Sequence, residues 1–259
     1  MISVNRRGLT FYRFESLAAC PGLMHGVFTR HGGSSAPAFA SLNISTGAGD
    51  DPAAVAKNRQ AIAACFNHAR LAFVKQVHRT GIRVLKKDRT VAFSAGQEPE
   101  GDALVSDRPG LLLGIKLADC QSIILFDPRQ KVAANVHSGW RGSVANIIGR
   151  TVAVMTETFQ CRPADILAGI SPSLGPCCAE FVNYKTEIPT DLWAYKDAHH
   201  RFDFWQISRD QLTAAGLLAD NIEIAGICTR CHKDRFFSYR AEGRTGRFAT
   251  VAGILNKNT

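Results

Sequence analysis

Six apolar segments crowd the middle of the chain and restrict what it can fold into. "LAFVKQVH" (Leu71–His78), "TGIRVLKK" (Thr80–Lys87), "GDALVSD" (Gly101–Asp107), "GLLLGIKLADC" (Gly110–Cys120), "SIILFDP" (Ser122–Pro128) and "KVAANVH" (Lys131–His137) follow one another, with turn residues between most of them. Each reads as a strand. Several are too uniformly apolar for a sheet with one wet face, so both faces are expected to be covered. Immediately afterwards, "SVANIIGRTVAVMTETF" places Val144, Ile147, Ile148, Val152, Met155 and Phe159 on one helical face. A strand thus feeds a helix through "HSGWRG".

The flanks are different in kind. "HGVFTRHGGSSAPAFASLNISTGAGDDP" is dense in Gly, Ser, Asn and Asp, which predicts long loops between short strands, and such loops are usually functional. In "DPAAVAKNRQAIAACF", Asp51 is the expected N-cap, Pro52 takes the first helical position, and Val55, Ile62 and Phe66 recur at helical intervals. The tail reads as strands at "DILAGIS" and "IEIAGICT", a helix near "SRDQLTAAGLL", and a loop-rich end, "CHKDRFFSYRAEGRTGRFATVAGIL". No Pro/Ser-rich linker or fixed-period repeat divides the chain. The expectation is one α+β domain over residues 1–259, with mixed, largely antiparallel sheets flanked by helices.

No apolar run approaches the roughly 20 residues of a membrane span, and the N-terminus has no signal-peptide core, so a soluble cytoplasmic protein is expected. The eight cysteines are irregularly spaced, and the chain is too long to resemble a small disulfide scaffold; free thiols, most of them core filler, are the expectation. A net charge of +9 favours anionic partners, either nucleic acid or phosphate-dependent small substrates.

The chemistry concentrates where apolar runs end. His78 and His137 each close a strand-like run, and Cys120 sits between two of them. Two histidines and a cysteine form a three-ligand set that leaves a fourth position open, the pattern of a catalytic zinc site. Their separations of 42 and 17 residues match no local zinc motif, so the fold must bring them together. Cys120 and His137 equally make a thiolate–imidazole pair for nucleophilic catalysis, and spacing does not separate the two readings. A helix starting after Gly139, with Arg141 in its first turn, would suit an anion beside His137. The plainer reading makes Trp140 a core anchor, His137 a bonded core residue and Arg141 a surface charge.

Other motifs count for less. "CTRCH" (Cys228–His232) has the spacing of a haem attachment site, but that chemistry belongs with export; a redox or metal-binding cysteine pair is the other functional reading. Cys177–Cys178 follow Gly175-Pro176 and read as a turn, and loop or core packing is the default for both pairs. There is no P-loop or HExxH, and "GAGDDP" has Pro52 where a dinucleotide fingerprint requires glycine. The segment Arg230–Arg247 interleaves Arg230, Lys233, Arg235, Arg240, Arg244 and Arg247 with Phe236, Phe237 and Tyr239. That mixture could stack bases, but it lacks the RNP1 pattern and reads more readily as a solvated loop, so a nucleic-acid partner is not expected.

Taken together, "HGVFTRHGG", "SLNIS", "GDDP", "QVH", "GDALVSDRPGLLLGIKLADCQSIILFDP", "VAANVHSGWRG", "SPSLGPCCAEF" and "RFFSYRAEGRTGR" resemble the YfiH or laccase-domain family. These are bacterial proteins once described as multicopper polyphenol oxidases and now as purine nucleoside phosphorylases with a bound zinc. The resemblance implies that His78, Cys120 and His137 are both metal ligands and catalytic residues, with zinc as the cofactor and copper as an alternative. It implies an α+β fold that has been likened to cysteine hydrolases, phosphorolysis of inosine, guanosine, adenosine and methylthioadenosine, and deamination of adenosine. The implied partners are purine nucleosides and phosphate. Charge and helix polarity make Arg141 the candidate phosphate ligand, with Arg30 and Arg240 as helpers; Asn43 in "SLNIS" is a further substrate-binding candidate. Zinc deaminases pair the metal with a glutamate, and none can be named here; Asp102 and Asp119 are the candidate proton carriers or supports. Ala179 replaces an aromatic usual after "CC", and "QVHRT" lacks a glycine common after the histidine. Multicopper oxidation would need more histidines than the eight present. The second functional reading is a cysteine hydrolase or amidase editing peptidoglycan precursors, and RNA binding is the third.

Overall fold

The computed structural model describes residues 1–88 and 98–256. The apolar runs form strands, and these strands assemble into two six-stranded sheets. In chain order the strands are β1 (Ile2–Arg6), β2 (Leu9–Arg13), β3 (Leu23–Phe28), β4 (Arg70–Phe73), β5 (Ile82–Leu85), β6 (Ala103–Ser106), β7 (Leu111–Leu117), β8 (Gln121–Asp127), β9 (Val132–Ser138), β10 (Leu167–Ile170), β11 (Ile222–Ile224) and β12 (Phe248–Ile254). One sheet runs β1-β2-β3-β12-β7-β4 and the other β11-β10-β8-β9-β6-β5. Pairing is antiparallel except at β4–β7, β5–β6 and β10–β11. The helices are α1 (Glu15–Ala18), α2 (Pro52–Ala64), α3 (Trp140–Val144), α4 (Ile147–Phe159), α5 (Tyr184–Glu187), α6 (Phe204–Ala214) and α7 (Tyr239–Glu242).

The uniform apolarity of the central strands follows from this layering. Ile124 and Phe126 of β8 point between the sheets, where they meet Leu113 and Ile115 of β7 and Phe248 of β12. Their neighbours Ile123 and Leu125 point the other way, onto Ile147, Ile148, Val152 and Met155 of α4 and Leu212 of α6. Each such side chain contributes roughly 1.5–3 kcal/mol on burial. The first sheet is covered in the same way by Ile62 of α2 with Leu42, Ile44 and Phe66. Asp51 caps α2, accepting from the backbone N–H groups of Ala53 and Ala54.

A polar bridge crosses the inter-sheet core. Asn135 of β9 is fully buried, and its Nδ2 donates to the carbonyls of Leu113 and Thr250 in the other sheet. Ser122 Oγ donates to Asn135 Oδ1, and Thr250 Oγ1 donates to Ser122 Oγ at 2.7 Å.

Two readings need correction. The helix expected across Ser143–Phe159 is interrupted: Asn146 takes a left-handed φ of 50°, and its side chain accepts from Gly149 N to restart the helix as α4. Val144, on α3, consequently packs beside Trp140 and Phe181 instead of with the α4 face, and Phe159, the last residue of α4, is only partly buried. The loop-rich end contains β12, whose residues Phe248–Ile254 are all buried between β3 and β7. Among the described residues no helix is long and apolar enough to cross a membrane.

Candidate active site

Strand register builds the site. Ala103 of β6 lies opposite Val136 of β9, so Asp102, just before β6, comes beside His137, whose backbone N–H donates to the Asp102 carbonyl at 2.6 Å. Gln121 and Ser122 of β8 lie opposite Ser138 and His137, which carries Cys120 to the same end of the sheet. His78 arrives from the segment after β4 with φ at 57°, a left-handed conformation that costs a β-carbon-bearing residue energy unless its surroundings enforce it. The Asp102 carboxylate enforces it by accepting the backbone N–H groups of His78 at 2.9 Å and Arg79 at 2.8 Å.

The donor atoms of His78, Cys120 and His137 consequently lie within 4.8 Å of one another. Cys120 Sγ is 3.9 Å from His78 Nε2, and the two imidazole rings meet edge to face at 4.8 Å. Asp102 Oδ1 holds His137 Nδ1 at 2.9 Å, leaving Nε2 for the trio. Burial would raise the Cys120 thiol, but hydrogen bonds and charge from His137 and then His78 bring it down to about 6. Burial would lower His137, but Asp102 and Cys120 push it up to about 9. Burial also acts to raise Asp102, and the His137 bond and the Arg79 and His78 N–H groups reverse it, keeping the carboxyl below its usual range. Two imidazoles and a thiolate, one histidine backed by a carboxylate, form a donor set suited to a catalytic metal ion. The backbone leaves room for it: a β-carbon on Gly139 would stand 3.0 Å from His78 Cδ2 and 3.1 Å from Cys120 Sγ.

A cavity of about 830 Å³ opens over the trio. Trp140, Phe181, Phe204 and Tyr239 supply an aromatic wall, and Lys75, Lys116, Arg240 and Arg247 supply positive charge. Ser45, Thr46 and Gly47 come from the long N-terminal loop, which gives that loop its place at the site. Lys116 Nζ donates to Glu98 Oε2 at 2.7 Å, and Arg59 reaches the other carboxylate oxygen at 2.8 Å. Burial works to raise Glu98, but Lys116 and Arg59 outweigh it and hold the carboxyl low. Asp119, with φ at 85°, accepts from Thr229 Oγ1, Ser238 Oγ and the Arg240 backbone N–H.

The substrate-binding candidates divide. Arg240 lines the cavity. Arg141 is exposed outside the lining, with its guanidinium 4.3 Å above the Trp140 ring, and the helix behind it, α3, is a single short turn. Arg30 pairs with Glu242 at 2.9 Å and stacks on Phe237, away from the cavity. Asn43 is fully buried and supports the walls, accepting from Ser45 N and Arg247 N and donating to Asp50. Sequence reasoning missed Gln76, Glu98, Lys116 and Phe181, and singled out Arg247 only as part of a nucleic-acid reading. A usable signal existed for Lys116, because a charge inside an otherwise apolar strand demands a partner.

Residues 24–255 match the family model described as multi-copper polyphenol oxidoreductase laccase. A purine nucleoside phosphorylase of Deinococcus radiodurans is 35% identical over 259 aligned positions, covering 95% of this chain and 94% of the relative. The purine nucleoside phosphorylase YlmD of Geobacillus stearothermophilus is 33% identical, with 90% of each chain covered. The crystal structure of YlmD from that organism superposes with a TM-score of 0.85 at 29% identity over 98% of both chains. A Bacillus licheniformis structure titled hypothetical protein YfiH gives 0.82 at 26% identity, covering 96% of this chain and 97% of the other. With the model spanning nearly all of the described residues and the two mixed sheets shared, the chain belongs to the multi-copper polyphenol oxidoreductase laccase family, the group of YlmD and YfiH.

Proposed function

We propose that the chain is a zinc-dependent purine nucleoside phosphorylase. The observation that carries the reading is the convergence of His78, Cys120 and His137 under a cavity lined by both aromatic and cationic side chains; the names of the relatives support it. A metal ion held by the trio would supply Lewis-acid polarisation of a substrate oxygen. Trp140, Phe181, Phe204 and Tyr239 stack the purine and shield it from water. Arg240 and Arg247 hold hydrogenphosphate against the sugar. A phosphate oxygen then forms a bond to the anomeric carbon as the bond to the base nitrogen breaks with its electron pair. The proton of hydrogenphosphate ends on the base, and the sugar leaves as its 1-phosphate.

Inosine, guanosine, adenosine and methylthioadenosine are the proposed substrates, and deamination of adenosine is a proposed second activity. Glu98 and Asp119 are the carboxylates lining the cavity, and both are engaged in hydrogen bonds. The test incubates zinc-loaded protein with adenosine, with and without phosphate, against His137→Ala, and identifies products by chromatography. Adenine formed only with phosphate supports phosphorolysis, and inosine formed without phosphate supports deamination. No product in either tube moves the assignment to a Cys120 hydrolase acting on cell-wall precursors. Stoichiometric zinc on Cys120 opposes that second reading, because it leaves no free thiolate.

A further inference from the structure

A second cluster of metal-binding side chains lies outside the trio. Cys177 and Cys178 lie in the turn that Cys178 N closes onto the Gly175 carbonyl, and Cys228 and Cys231 sit on the segment after β11. Their four sulfur atoms lie within 4.8 Å of one another. Cys231 Sγ is 3.7 Å from Cys177 Sγ and 3.6 Å from Cys178 Sγ. A disulfide requires about 2.05 Å. Four thiolates around one zinc ion at about 2.3 Å stand roughly 3.8 Å apart along the edges of the tetrahedron.

We propose that Cys177, Cys178, Cys228 and Cys231 bind a second metal ion, a structural zinc(II) tetrathiolate separate from the His78–Cys120–His137 site. All four positions are sulfur, so no open position is left for a substrate, as in structural zinc sites. The thiols release their protons to solvent on binding, and the resulting double negative charge falls in a basic neighbourhood. Arg201 donates to the Cys177 carbonyl and Arg240 to the carbonyls of Cys178 and Glu180, while Arg230, Lys233 and Arg235 belong to the same segment as Cys228 and Cys231.

The ion joins two loops that also meet through the Arg240 bonds to Cys178 and Glu180 and through backbone bonds. Ser173 N donates to Ile227 O and Thr229 N to Ser173 O beside the cluster. One loop carries Leu174, Ala179 and Phe181 into the cavity wall, and the other leads to Tyr239 and Arg240. The tetrathiolate therefore fixes the distance between the two halves of that wall. It also gives the cysteine pairs at 177–178 and 228–231 a common purpose.

The test counts metal in the full-length protein, purified under reducing conditions with zinc and then gel-filtered. Elemental analysis is expected to find about two zinc ions per chain in the wild type, about one in Cys120→Ser, and none once Cys228→Ser and Cys231→Ser are added. Cys120→Ser loaded with cobalt(II) instead should show intense thiolate-to-metal absorption and the visible bands of a tetrahedral sulfur site. That spectrum decides the matter even if the triple variant does not fold. A Cys120→Ser protein that holds no zinc and gives no such bands overturns the proposal. So does peptide mapping, on protein whose free thiols are alkylated at cell lysis without reductant, that finds these cysteines paired as disulfides.

Discussion

His137 Nδ1 and Asp102 Oδ1 stand 2.9 Å apart, both sealed from solvent, and the same carboxylate accepts the backbone N–H of His78. One side chain thus aims one histidine of the candidate metal trio and fixes the backbone of another. Asp102→Asn is expected to weaken metal binding on the order of 10–100-fold, read by competition with a chromophoric chelator. An unchanged affinity would show that the two histidines hold their positions without it.

Gly139 needs its missing side chain for the site rather than for the backbone. Its φ of −75° is open to any residue, yet a β-carbon there would crowd His78 and Cys120 at 3.0 and 3.1 Å. Gly139→Ala should therefore bind zinc at least about tenfold more weakly while its melting temperature moves little. Wild-type zinc affinity in the folded variant contradicts this.

Arg240 and Arg141 offer a paired test of the phosphate site. Arg240→Ala is expected to raise the KM for phosphate by roughly tenfold or more, the loss of a charge-assisted contact. Arg141→Ala, with its guanidinium over Trp140 and outside the cavity, should leave that KM within about twofold. Steady-state kinetics with phosphate as the varied substrate settle both, and reversal of the two effects would return the phosphate to the start of α3.

Asn135 joins the sheets through polar contacts in an otherwise apolar layer. Asn135→Ala removes one hydrogen-bond partner each from the Leu113 and Thr250 carbonyls and from Ser122 Oγ, which keeps only its bond from Thr250 Oγ1. The expected cost is about 3 kcal/mol, a fall in melting temperature of roughly 6–12 °C by calorimetry. A fall of under about 2 °C would mean that the network closes around the gap.

Acid should weaken the fold through His25. Burial first, and then the Arg13 charge, push this fully buried imidazole from 6.5 down to about 3, so the folded protein refuses a proton that the unfolded chain accepts. The sign follows directly: stability is whole above pH 6.5 and is lost as pH falls toward 3, at about 1.4 kcal/mol per pH unit. Urea titrations between pH 7.5 and 5 should show this slope in the wild type and a flatter one in His25→Gln, which keeps an acceptor for the Phe14 N–H. Identical slopes would assign the acid sensitivity to other groups.

The strands from β6 to β9 were legible because burial on both faces makes a strand apolar along its whole length, and α2 because Asp51 and Pro52 mark its start. β12 was not, since nothing local in "RFATVAGI" reveals partners more than a hundred residues earlier in β7 and β3. The candidate metal trio offered ligand-type side chains but no diagnostic spacing, because strand register, a non-local property, gathers it. The same non-locality hid the meeting of "CC" with "CTRC". Arg141 misled because helix polarity predicts where an anion can sit without saying which way a neighbouring side chain turns.

The position of β12 also governs how the molecule comes into being. β3 and β7 flank it on both sides, so until Ile254 has left the ribosome the first sheet lacks its middle and presents two unsatisfied edges. Synthesis therefore outruns folding for this layer: every residue up to Ile254 must exist before its central hydrogen-bond ladders can close. A nascent chain stalled before Phe248 would be a target for chaperones and a seed for edge-to-edge association, whatever its other sheet has achieved.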